Sequence, residues 1–544
     1  MQRPSNAAPC NVRGGTLALI LIAGLSASAC RVAEAPAPAT APPSADVLAR
    51  LSERVDPWVA KPRVIVMTDI ANEPDDQMSM VRFLVYGNQF DVEGLIATTS
   101  TWMRARVRPD VINQVLDAYA QVHATLSQHA PGFPTADALR ALVTTGPQGF
   151  GMAAVSLEGD SISPGTRRII EAVDREDDRP VWVLAWGGAN TLAESLAYVR
   201  RTRPAAALDA FVSKLRVYTI SDQDDAGPWM RREFPALHYI GIPSTPDGDQ
   251  YAQATWTGIS GDRFYLNADG ADFTTFTSEW VNANIRAKGP LGKLYIPPCC
   301  IHEGDTPAFL GLINNGLASF MSPTYGGWGG RYVWRQYYGE TRPSWTQGGD
   351  AYPGRDSSRD TVPGIDGRPR TSDQATIWRW RDAFQRDFAA RMDWTIKPVG
   401  EANHNPVAVV NDQGGMTPIT IDTKVGAPVS LDASVSTDPD GHTLRFSWFF
   451  YAEAGTGIPT QPVAAGPPVP IGGGGSQNEG GIPSAGADGP PRPPARVVLD
   501  RTTGARVTVT MRTPGTAHII LVVDDNGGPS LTSYRRIILR SAAR

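Results

Sequence analysis

The chain has 544 residues, more than a single hydrophobic core normally supports, so we expect at least two domains. Its apolar fraction of 41% and charged fraction of 19% are typical of a globular protein. The formal net charge is −5, and without a basic excess we expect no nucleic-acid partner.

The first 60 residues indicate an export signal followed by a linker. Arg3 and Arg13 precede an apolar run too short to span a bilayer, and small residues then lead to Cys30, so residues 1–30 are predicted to be a signal peptide. Two processing routes stay open. Lipidation of Cys30 would give an outer-membrane lipoprotein, and simple cleavage would give a periplasmic or secreted protein. Residues 31–60 are rich in Ala and Pro, which predicts a flexible tether.

Strand and helix patterns alternate through residues 61–400. Strands are predicted at 63–67, 92–98, 181–185, 215–220, 237–242 and 294–296, and helices at 76–86, 111–126 and 191–200. This alternation predicts an α/β domain with a mainly parallel sheet flanked by helices. In this domain, Cys299 and Cys300 are interpreted as two small buried residues rather than as a strained vicinal disulfide.

Residues 401–544 have a different texture, with short alternating segments separated by turn residues. Strands are predicted at 429–433, 444–451, 496–499, 506–511, 518–523 and 534–539. The pattern predicts a small all-β sandwich. A segment dominated by Gly and Pro, at about 453–494, is predicted to be a flexible insertion in it.

Carboxylates cluster in two distant segments. In 68–76 (TDIANEPDD), Asp69 ends the first strand, and Asp75 and Asp76 fall in the first turn of a helix. Helix capping explains acids in a first turn but not an acid at the end of an apolar strand. Asp305 follows a second strand-like stretch, in HEGD. If both loops lie at one sheet edge, Asp305 can face Asp69 and Asp76 and complete the oxygen ligands that Ca²⁺ prefers.

The order of these motifs resembles a known family. A strand followed by TDIANEPDD is similar to the nucleoside hydrolases, and the match is closer to the nucleoside-hydrolase-like domain of the Sde182-type cellulose-binding proteins. The stretches that carry this resemblance are VYTISDQDDAGPW (217–229), EWVNANIRAKGPLG (279–292), EGDTPAFL (303–310) and SPTYGGWGGRY (322–332). The sandwich resembles the Ig/PKD-like domain that follows in the same family, so the resemblance covers nearly all of 61–544.

The resemblance implies a role for each matched residue. Asp69 would bind calcium and accept a proton from water, Asp76 and Asp305 would be further calcium ligands, and Asp75 would contact a sugar hydroxyl. Residues 186–191 (WGGANT) would donate a backbone carbonyl.

Three departures from the family pattern concern specificity. Met67 stands where the family has its first loop Asp, Gly304 stands where some members have a His, and the acid–amide motif for ribose hydroxyls is not visible in the sequence. The resemblance therefore does not imply a nucleoside substrate.

Other residues are candidates for contacts with a sugar. Asn190 and Asp222 could anchor ring hydroxyls, although Asp222 also suits a solvated or capping loop. His302 is preferred over Glu303 as the proton donor because it titrates near neutrality, and a structural histidine is the alternative. Glu303 is kept as a substrate contact.

Two further motifs are open to more than one reading. Aromatic residues and glycines cluster at 325–352, where Trp328 is expected to border the pocket, unless the rings fill the core. In the sandwich, residues 438–441 (DPDG) favour a plain turn over the calcium-binding loop found in some PKD-like modules.

Together these features predict an exported, calcium-dependent glycosidase that hydrolyses a glycosidic or N-glycosidic bond with metal-activated water. Its expected partner is a plant or microbial carbohydrate, and a periplasmic nucleosidase is a variant of the same reading. The alternative is a non-catalytic cellulose- or polysaccharide-binding protein, and a third reading makes the sandwich a tether on a scaffold. Assembly as a homo-oligomer, common among related hydrolases, is left open.

Overall fold

The computed structural model describes residues 44–242, 254–260, 270–298, 301–335, 340, 342–346, 358–456 and 496–542. The predicted signal peptide with Cys30, the Cys299–Cys300 pair and most of the predicted insertion at 453–494 lie outside the described residues. Within these ranges, no helix combines the length and the apolar character needed to cross a membrane.

The first domain is built on an eight-stranded sheet, counted over the described residues, with the strand order β3-β2-β1-β4-β5-β6-β8-β7. Neighbouring strands are parallel except β7 and β8, which are antiparallel. The strands are β1 (Arg63–Thr68), β2 (Asp91–Ala97), β3 (Val143–Thr145), β4 (Val181–Ala185), β5 (Leu215–Thr219), β6 (His238–Gly241), β7 (Val333–Arg335) and β8 (Ser344–Thr346). A hairpin of β9 (Asp360–Pro363) and β10 (Pro369–Ser372) lies outside this sheet.

Helices flank the sheet. They are α1 (Ala45–Ser52), α2 (Pro74–Val85), α3 (Pro109–His129), α4 (Ala136–Arg140), α5 (Pro164–Asp174), α6 (Asn190–Thr202), α7 (Ala205–Lys214), α8 (Ala226–Glu233), α9 (Ser278–Val281), α10 (Gly289–Lys293), α11 (Pro307–Leu310), α12 (Ala375–Trp378) and α13 (Arg381–Trp394). One apolar cluster packs on each side of the sheet, with Val64 and Val66 in one cluster and Ile65 and Met67 in the other. The predicted mainly parallel sheet with flanking helices is confirmed.

Local sequence explains the elements that carry the candidate site. Every residue of β1 (RVIVMT) is buried, as expected for a central parallel strand covered on both faces. The helix α2 begins at Pro74, whose fixed φ suits the first helical position, and Asp75 and Asp76 lie in its first turn, where negative charge favours the helix dipole. The chain therefore passes directly from a buried strand through an acidic loop into a helix.

Two sequence predictions were wrong in this domain. Residues 294–296 form no strand; they follow the short helix α10 as a turn, in which Tyr295 is buried in the apolar core and its hydroxyl donates a hydrogen bond to Glu303 at 2.5 Å. The predicted tether at 31–60 is folded from residue 44 onward. It contains α1, and Asp56 accepts two hydrogen bonds from the buried guanidinium of Arg216, at 2.6 and 2.7 Å. An Ala- and Pro-rich composition did not reveal these anchors.

The second domain contains two facing sheets, as the alternating pattern predicted. The sheet orders are β11-β17-β16-β13 and β12-β15-β14. The strands are β11 (Ile419–Asp422), β12 (Pro428–Asp432), β13 (Arg445–Phe450), β14 (Val497–Leu499), β15 (Arg506–Met511), β16 (Gly515–Asp524) and β17 (Thr532–Ser541). Side chains of both sheets, including Trp448, Val507 and Leu521, form its core. The strand β11 was not predicted.

The sandwich and the α/β domain share a buried junction. Residues of β16 alternate between the two cores, since Ile519 and Leu521 belong to the sandwich core whereas Ile520 belongs to that of the α/β domain. Arg536 of β17 donates hydrogen bonds to backbone carbonyls of the α/β domain, among them that of Gly326 at 2.8 Å. We call this region the domain junction.

A fully paired carboxylate lies at the domain junction. Asp360 of β9 accepts hydrogen bonds from Arg331 Nε at 2.8 Å, from Arg379 Nη1 at 2.8 Å and from the hydroxyl of Tyr451, at the end of β13, at 2.6 Å. Burial opposes ionisation of Asp360, but the two guanidiniums outweigh it and hold its pKa below the usual value. The charge is therefore stabilised in the fold without any external ligand.

Candidate functional site

Four aspartates converge at the carboxyl edge of the parallel sheet. Asp69 directly follows β1, and Asp75 and Asp76 lie in the first turn of α2. Asp305 lies two residues before Pro307, the first residue of α11. One carboxylate oxygen each from Asp75, Asp76 and Asp305 lies within 4.8 Å of the others, and Asp69 lines the same cleft. All four residues are at most 5% exposed. We call this group the aspartate cluster.

Only some of the oxygen atoms in the aspartate cluster have partners. Ser100 Oγ donates to Asp69 Oδ2 at 2.5 Å, and Thr68 Oγ1 donates to Asp76 Oδ1. Asp75 Oδ1 and Asp305 Oδ2 are buried and have no hydrogen-bond partner among the described residues. A buried carboxylate oxygen without a partner carries a large desolvation cost, so these two atoms indicate a ligand that completes the site.

Burial and mutual repulsion oppose ionisation of these acids. Burial is the first cause, and neighbouring carboxylates the second, of pKa values raised well above the usual range for Asp75, Asp76 and Asp305. Burial also raises the pKa of Asp69 to about 6 and that of Glu73, which lines the same cleft, to about 7. A cation among them would reverse these shifts, because it favours every ionised form at once.

The residues of the cluster fit a calcium ion. Their donors are all hard carboxylate oxygens, two of which have no partner among the described residues, and Ca²⁺ is coordinated by six to eight such oxygens. Within the cleft, the centre of a water-sized sphere can occupy about 10 Å³, which is roughly the room that one water molecule or ion needs. Asp69, Asp76 and Asp305 are the ligands that the resemblance implies, and the spacing adds Asp75 to them.

Two glycines let the backbone approach the cluster closely. A Cβ atom at Gly187 would lie 2.7 Å from Asp69 Oδ1, and one at Gly304 would lie 2.7 Å from Asp75 Oδ2. Any side chain at these positions would displace a carboxylate. The loop that begins at Trp186, which the resemblance implies as a carbonyl donor, therefore runs beside Asp69, and Gly304 lies beside Asp75.

Trp102 and Glu73 border the cleft on its more accessible side. Trp102 is 51% exposed, and Glu73 is half-buried at the N-cap of α2. Gln223, also in the lining, donates from Nε2 to the Trp186 carbonyl at 2.6 Å. Sequence reasoning did not assign a role to Trp102, although it lies in the loop that follows the carboxyl end of β2. The rule that ligands bind at that edge could have found it.

The histidine and glutamate of the HEGD segment lie elsewhere. Glu303 is fully buried and pairs with Arg82, whose Nε lies 2.7 Å from Oε2; it also accepts from Tyr295 and from Thr306 Oγ1 at 2.9 Å. The ring of His302 lies nearly parallel to that of Phe276, with ring centroids 6.1 Å apart. Neither His302 nor Glu303 is part of the cleft lining. Glu303 is therefore held by ionic and hydrogen-bond partners inside the fold, outside the lining of the cleft.

The other predicted contacts also lie outside the cleft lining. Asn190, fully buried, donates from Nδ2 to the Gly149 carbonyl at 2.9 Å. Asp222 forms a two-bond ion pair with Arg231, at 2.8 and 2.7 Å. Both side chains therefore have partners within the fold, and neither is among the residues that line the cleft.

Trp328 does not border this cleft. Its Nε1 donates to the hydroxyl of Tyr534 at 3.3 Å, and its ring packs edge-on against Phe384 and Tyr534. This aromatic belongs to the domain junction, so the core-filling alternative describes it better than a pocket role does.

Comparisons with known proteins agree with this architecture. The sequence profile of the nucleoside hydrolase-like domain of cellulose-binding Sde182 matches residues 63–332, and that of the C-terminal domain of cellulose-binding protein Sde0182 matches 428–541. The structure of a nucleoside hydrolase-related hypothetical protein from Saccharophagus degradans, associated with carbohydrate metabolism, is 32% identical, with a TM-score of 0.68. That match covers 89% of this chain and 100% of the other.

Two further structures have only low similarity to this chain. Effector XOO4466 and type III effector XopQ complexed with adenosine diphosphate ribose are each 12% identical, with TM-scores of 0.28 and 0.29, and the matches cover 57% and 65% of this chain and 93% and 99% of theirs. No curated protein matches the sequence. Two matched domains in order and a full-length relative at 32% identity establish that the chain belongs to the Sde182 family of cellulose-binding proteins with a nucleoside hydrolase-like domain.

Proposed function

We propose that this protein is a calcium-dependent hydrolase of a glycosidic bond in a carbohydrate. The supporting observation is the aspartate cluster, in which carboxylates from two distant segments are buried together and two oxygens have no partner among the described residues. A family association with carbohydrate supports the substrate class. Calcium, when bound by Asp69, Asp75, Asp76 and Asp305, supplies positive charge that stabilises their ionised forms and acidifies water.

The side chains suggest a division of labour in the reaction. Asp69 accepts the proton of the attacking water, and the hydrogen bond from Ser100 to Oδ2 orients the carboxylate so that Oδ1 remains for that proton. Trp102, half exposed beside the cleft, offers a ring face on which a sugar can stack. Glu73 replaces His302 as our candidate proton donor, because it is the least buried acid in the cleft lining. Attack by water on one face would invert the anomeric centre.

A non-catalytic carbohydrate-binding protein is the second candidate. It is favoured by the exposed ring of Trp102 and by the cellulose-binding description of the family. This second candidate does not explain the four buried carboxylates, since a sugar-binding protein needs no activated water.

The location of the reaction is part of the proposal. Membership of a cellulose-binding family suggests an exported protein. We propose export through the signal peptide at residues 1–30, with lipidation of Cys30 and simple cleavage both retained. A homo-oligomer remains part of the proposal as an assembly to be tested.

The test combines metal content with turnover. Purified mature protein is analysed for calcium per chain, beside Asp69→Asn, Asp305→Asn and the control Asp209→Asn, which alters an exposed acid on α7. The same four proteins are incubated with a panel of cello-oligosaccharides, other plant and microbial oligosaccharides and nucleosides, and products are resolved by chromatography.

We expect about one calcium per wild-type and Asp209→Asn chain, loss of calcium in Asp305→Asn, and loss of turnover in both cluster variants by roughly 10²- to 10⁴-fold. Wild-type protein that takes up no calcium would exclude the proposed chemistry. Calcium binding and sugar binding without any product, across the panel, would favour the binding protein.

A further inference from the structure

A second group of potential metal ligands lies far from the aspartate cluster in the chain, in the loop between β12 and β13. One ligand atom each from Asp438, Asp440 and His442 lies within 4.8 Å of the others. Asp438 Oδ1 accepts the backbone N–H groups of Asp440 at 2.9 Å and of His442 at 3.0 Å, so the turn holds the three residues together. Acidic residues often lie close together without an ion, so a metal site needs further evidence.

Two buried ligand atoms in this loop provide that evidence. The side chain of Asp438 is 1% exposed, and its Oδ2 has no hydrogen-bond partner among the described residues. The Nδ1 atom of His442 is also buried without a hydrogen-bond partner among the described residues, and it lies 3.5 Å from Asp438 Oδ1. Asp438 Oδ2 and His442 Nδ1 are both buried without a hydrogen-bond partner among the described residues, and each carries a desolvation cost that a shared cation removes.

The third ligand is supported from outside the loop. The backbone N–H of His404 donates to Asp440 Oδ2 at 2.7 Å, and His404 Nδ1 lies 3.0 Å from Oδ1. His404 Nε2 lies 3.0 Å from Nδ1 of His129, at the end of α3, whose Nε2 lies 2.8 Å from the carbonyl of Lys397. Carboxylate ligands of metals are typically oriented by such hydrogen bonds from a second layer of side chains.

We propose that Asp438, Asp440 and His442 bind a first-row transition-metal cation, with Zn²⁺ as the best fit. An imidazole among the ligands selects against Ca²⁺, which prefers oxygen donors only, and two carboxylates with one imidazole suit Zn²⁺ with water as the fourth ligand. Through Asp440, His404 and His129, the ion ties the sandwich loop to the α/β domain. The site is independent of the proposed hydrolysis.

The test measures Zn²⁺ binding to the full mature chain by equilibrium dialysis, with calcium in excess. The variants are His442→Gln and Asp438→Asn, of which the second keeps an oxygen for the backbone N–H groups of the turn. Matched controls are His123→Gln in α3 and Asp305→Asn in the aspartate cluster. Thermal unfolding with a chelator and with Zn²⁺ shows that each variant folds and whether the metal stabilises it.

We expect one Zn²⁺ per wild-type chain, unchanged in both controls, with affinity reduced roughly 100-fold or more in His442→Gln and Asp438→Asn. His404→Gln should lose roughly tenfold. Zn²⁺ should raise the melting temperature of the wild type but not of His442→Gln. The proposal is overturned if wild type binds no Zn²⁺, if calcium displaces it, if His442→Gln binds as well as wild type, or if Asp305→Asn abolishes binding.

Discussion

The molecule buries carboxylates in two ways. At the domain junction, Asp360 accepts hydrogen bonds from two arginines and a tyrosine, and its pKa lies below the usual value. In the aspartate cluster, the same residue type is equally buried but faces other acids, and its pKa is raised. The first arrangement is complete within the fold, whereas the second leaves Asp75 Oδ1 and Asp305 Oδ2 without a hydrogen-bond partner among the described residues. The hydrogen-bond partners of a buried carboxylate thus distinguish one that connects two domains from one that is a candidate ligand of a cation.

Among the substitutions of acidic residues, removing the charge at the domain junction should have the largest effect on stability. Asp360→Asn leaves Arg331 and Arg379 buried without their counter-charge, and breaking a buried pair in this way costs about 3–5 kcal/mol. Urea unfolding should show a lower midpoint, while the calcium content stays that of wild type. An Asp360→Asn protein as stable as wild type would mean that the junction is not held by this charge, and the contrast with the cluster would fail.

Calcium should stabilise the protein, and the effect should grow with pH. The carboxylates of Asp69 and Glu73 have folded pKa values of about 6 and about 7, above their unfolded values of 3.8 and 4.5. Without a cation, their contribution to stability is fully present below about pH 4 and is lost as the pH rises through 6 to 7.

Thermal unfolding in a chelator should therefore show a melting temperature that falls between pH 4 and pH 7. Calcium at about 100 times its dissociation constant should restore roughly 2.7 kcal/mol near neutrality. The same decline with and without calcium would argue that no cation enters the cluster. Asp209→Asn, which leaves the cluster intact, should follow the wild-type curves.

Sequence reasoning placed the aspartates of the cluster together by the rule that parallel strands end at one edge of a sheet, and Asp69, directly after β1, follows that rule. Asp69 and Asp305 could be placed together from their positions after strand-like segments, even though residues 294–296 proved to be a turn. Partners of the other polar residues could not be predicted. Glu303 lies beside Asp305 in sequence, yet it pairs with Arg82 of α2. Trp328 was expected at the pocket because rings on glycine-rich loops often stack on sugars, but a docked sandwich buries it. Only tertiary packing distinguishes residues that line the cleft from residues that are buried elsewhere in the fold.

Replacing one member of the cluster should stabilise the calcium-free protein. Asp75→Asn removes a carboxylate that repels its neighbours and whose Oδ1 has no partner among the described residues, so we expect a gain of about 1–2 kcal/mol in a chelator. In calcium the order should reverse, because the variant has lost a ligand. Paired unfolding curves with and without calcium measure both signs. A variant that is destabilised in both conditions would indicate that Asp75 has a purely structural role.

The smallest effect on stability should come from the exposed side of the cleft. Trp102→Ala removes a half-exposed ring and should change the free energy of unfolding by no more than about 0.5 kcal/mol, whereas Trp328→Ala, at the buried junction, should cost about 3–5 kcal/mol. For carbohydrate affinity the order should reverse, with the larger loss in Trp102→Ala. Loss of a stacking ring should weaken binding of oligosaccharide to Trp102→Ala by about 0.5–1.5 kcal/mol, measured by calorimetry, without changing calcium content. Trp328→Ala should retain wild-type affinity, provided that it is measured below its lowered melting temperature. Equal losses of affinity in both variants would mean that the carbohydrate spans the junction rather than the cleft.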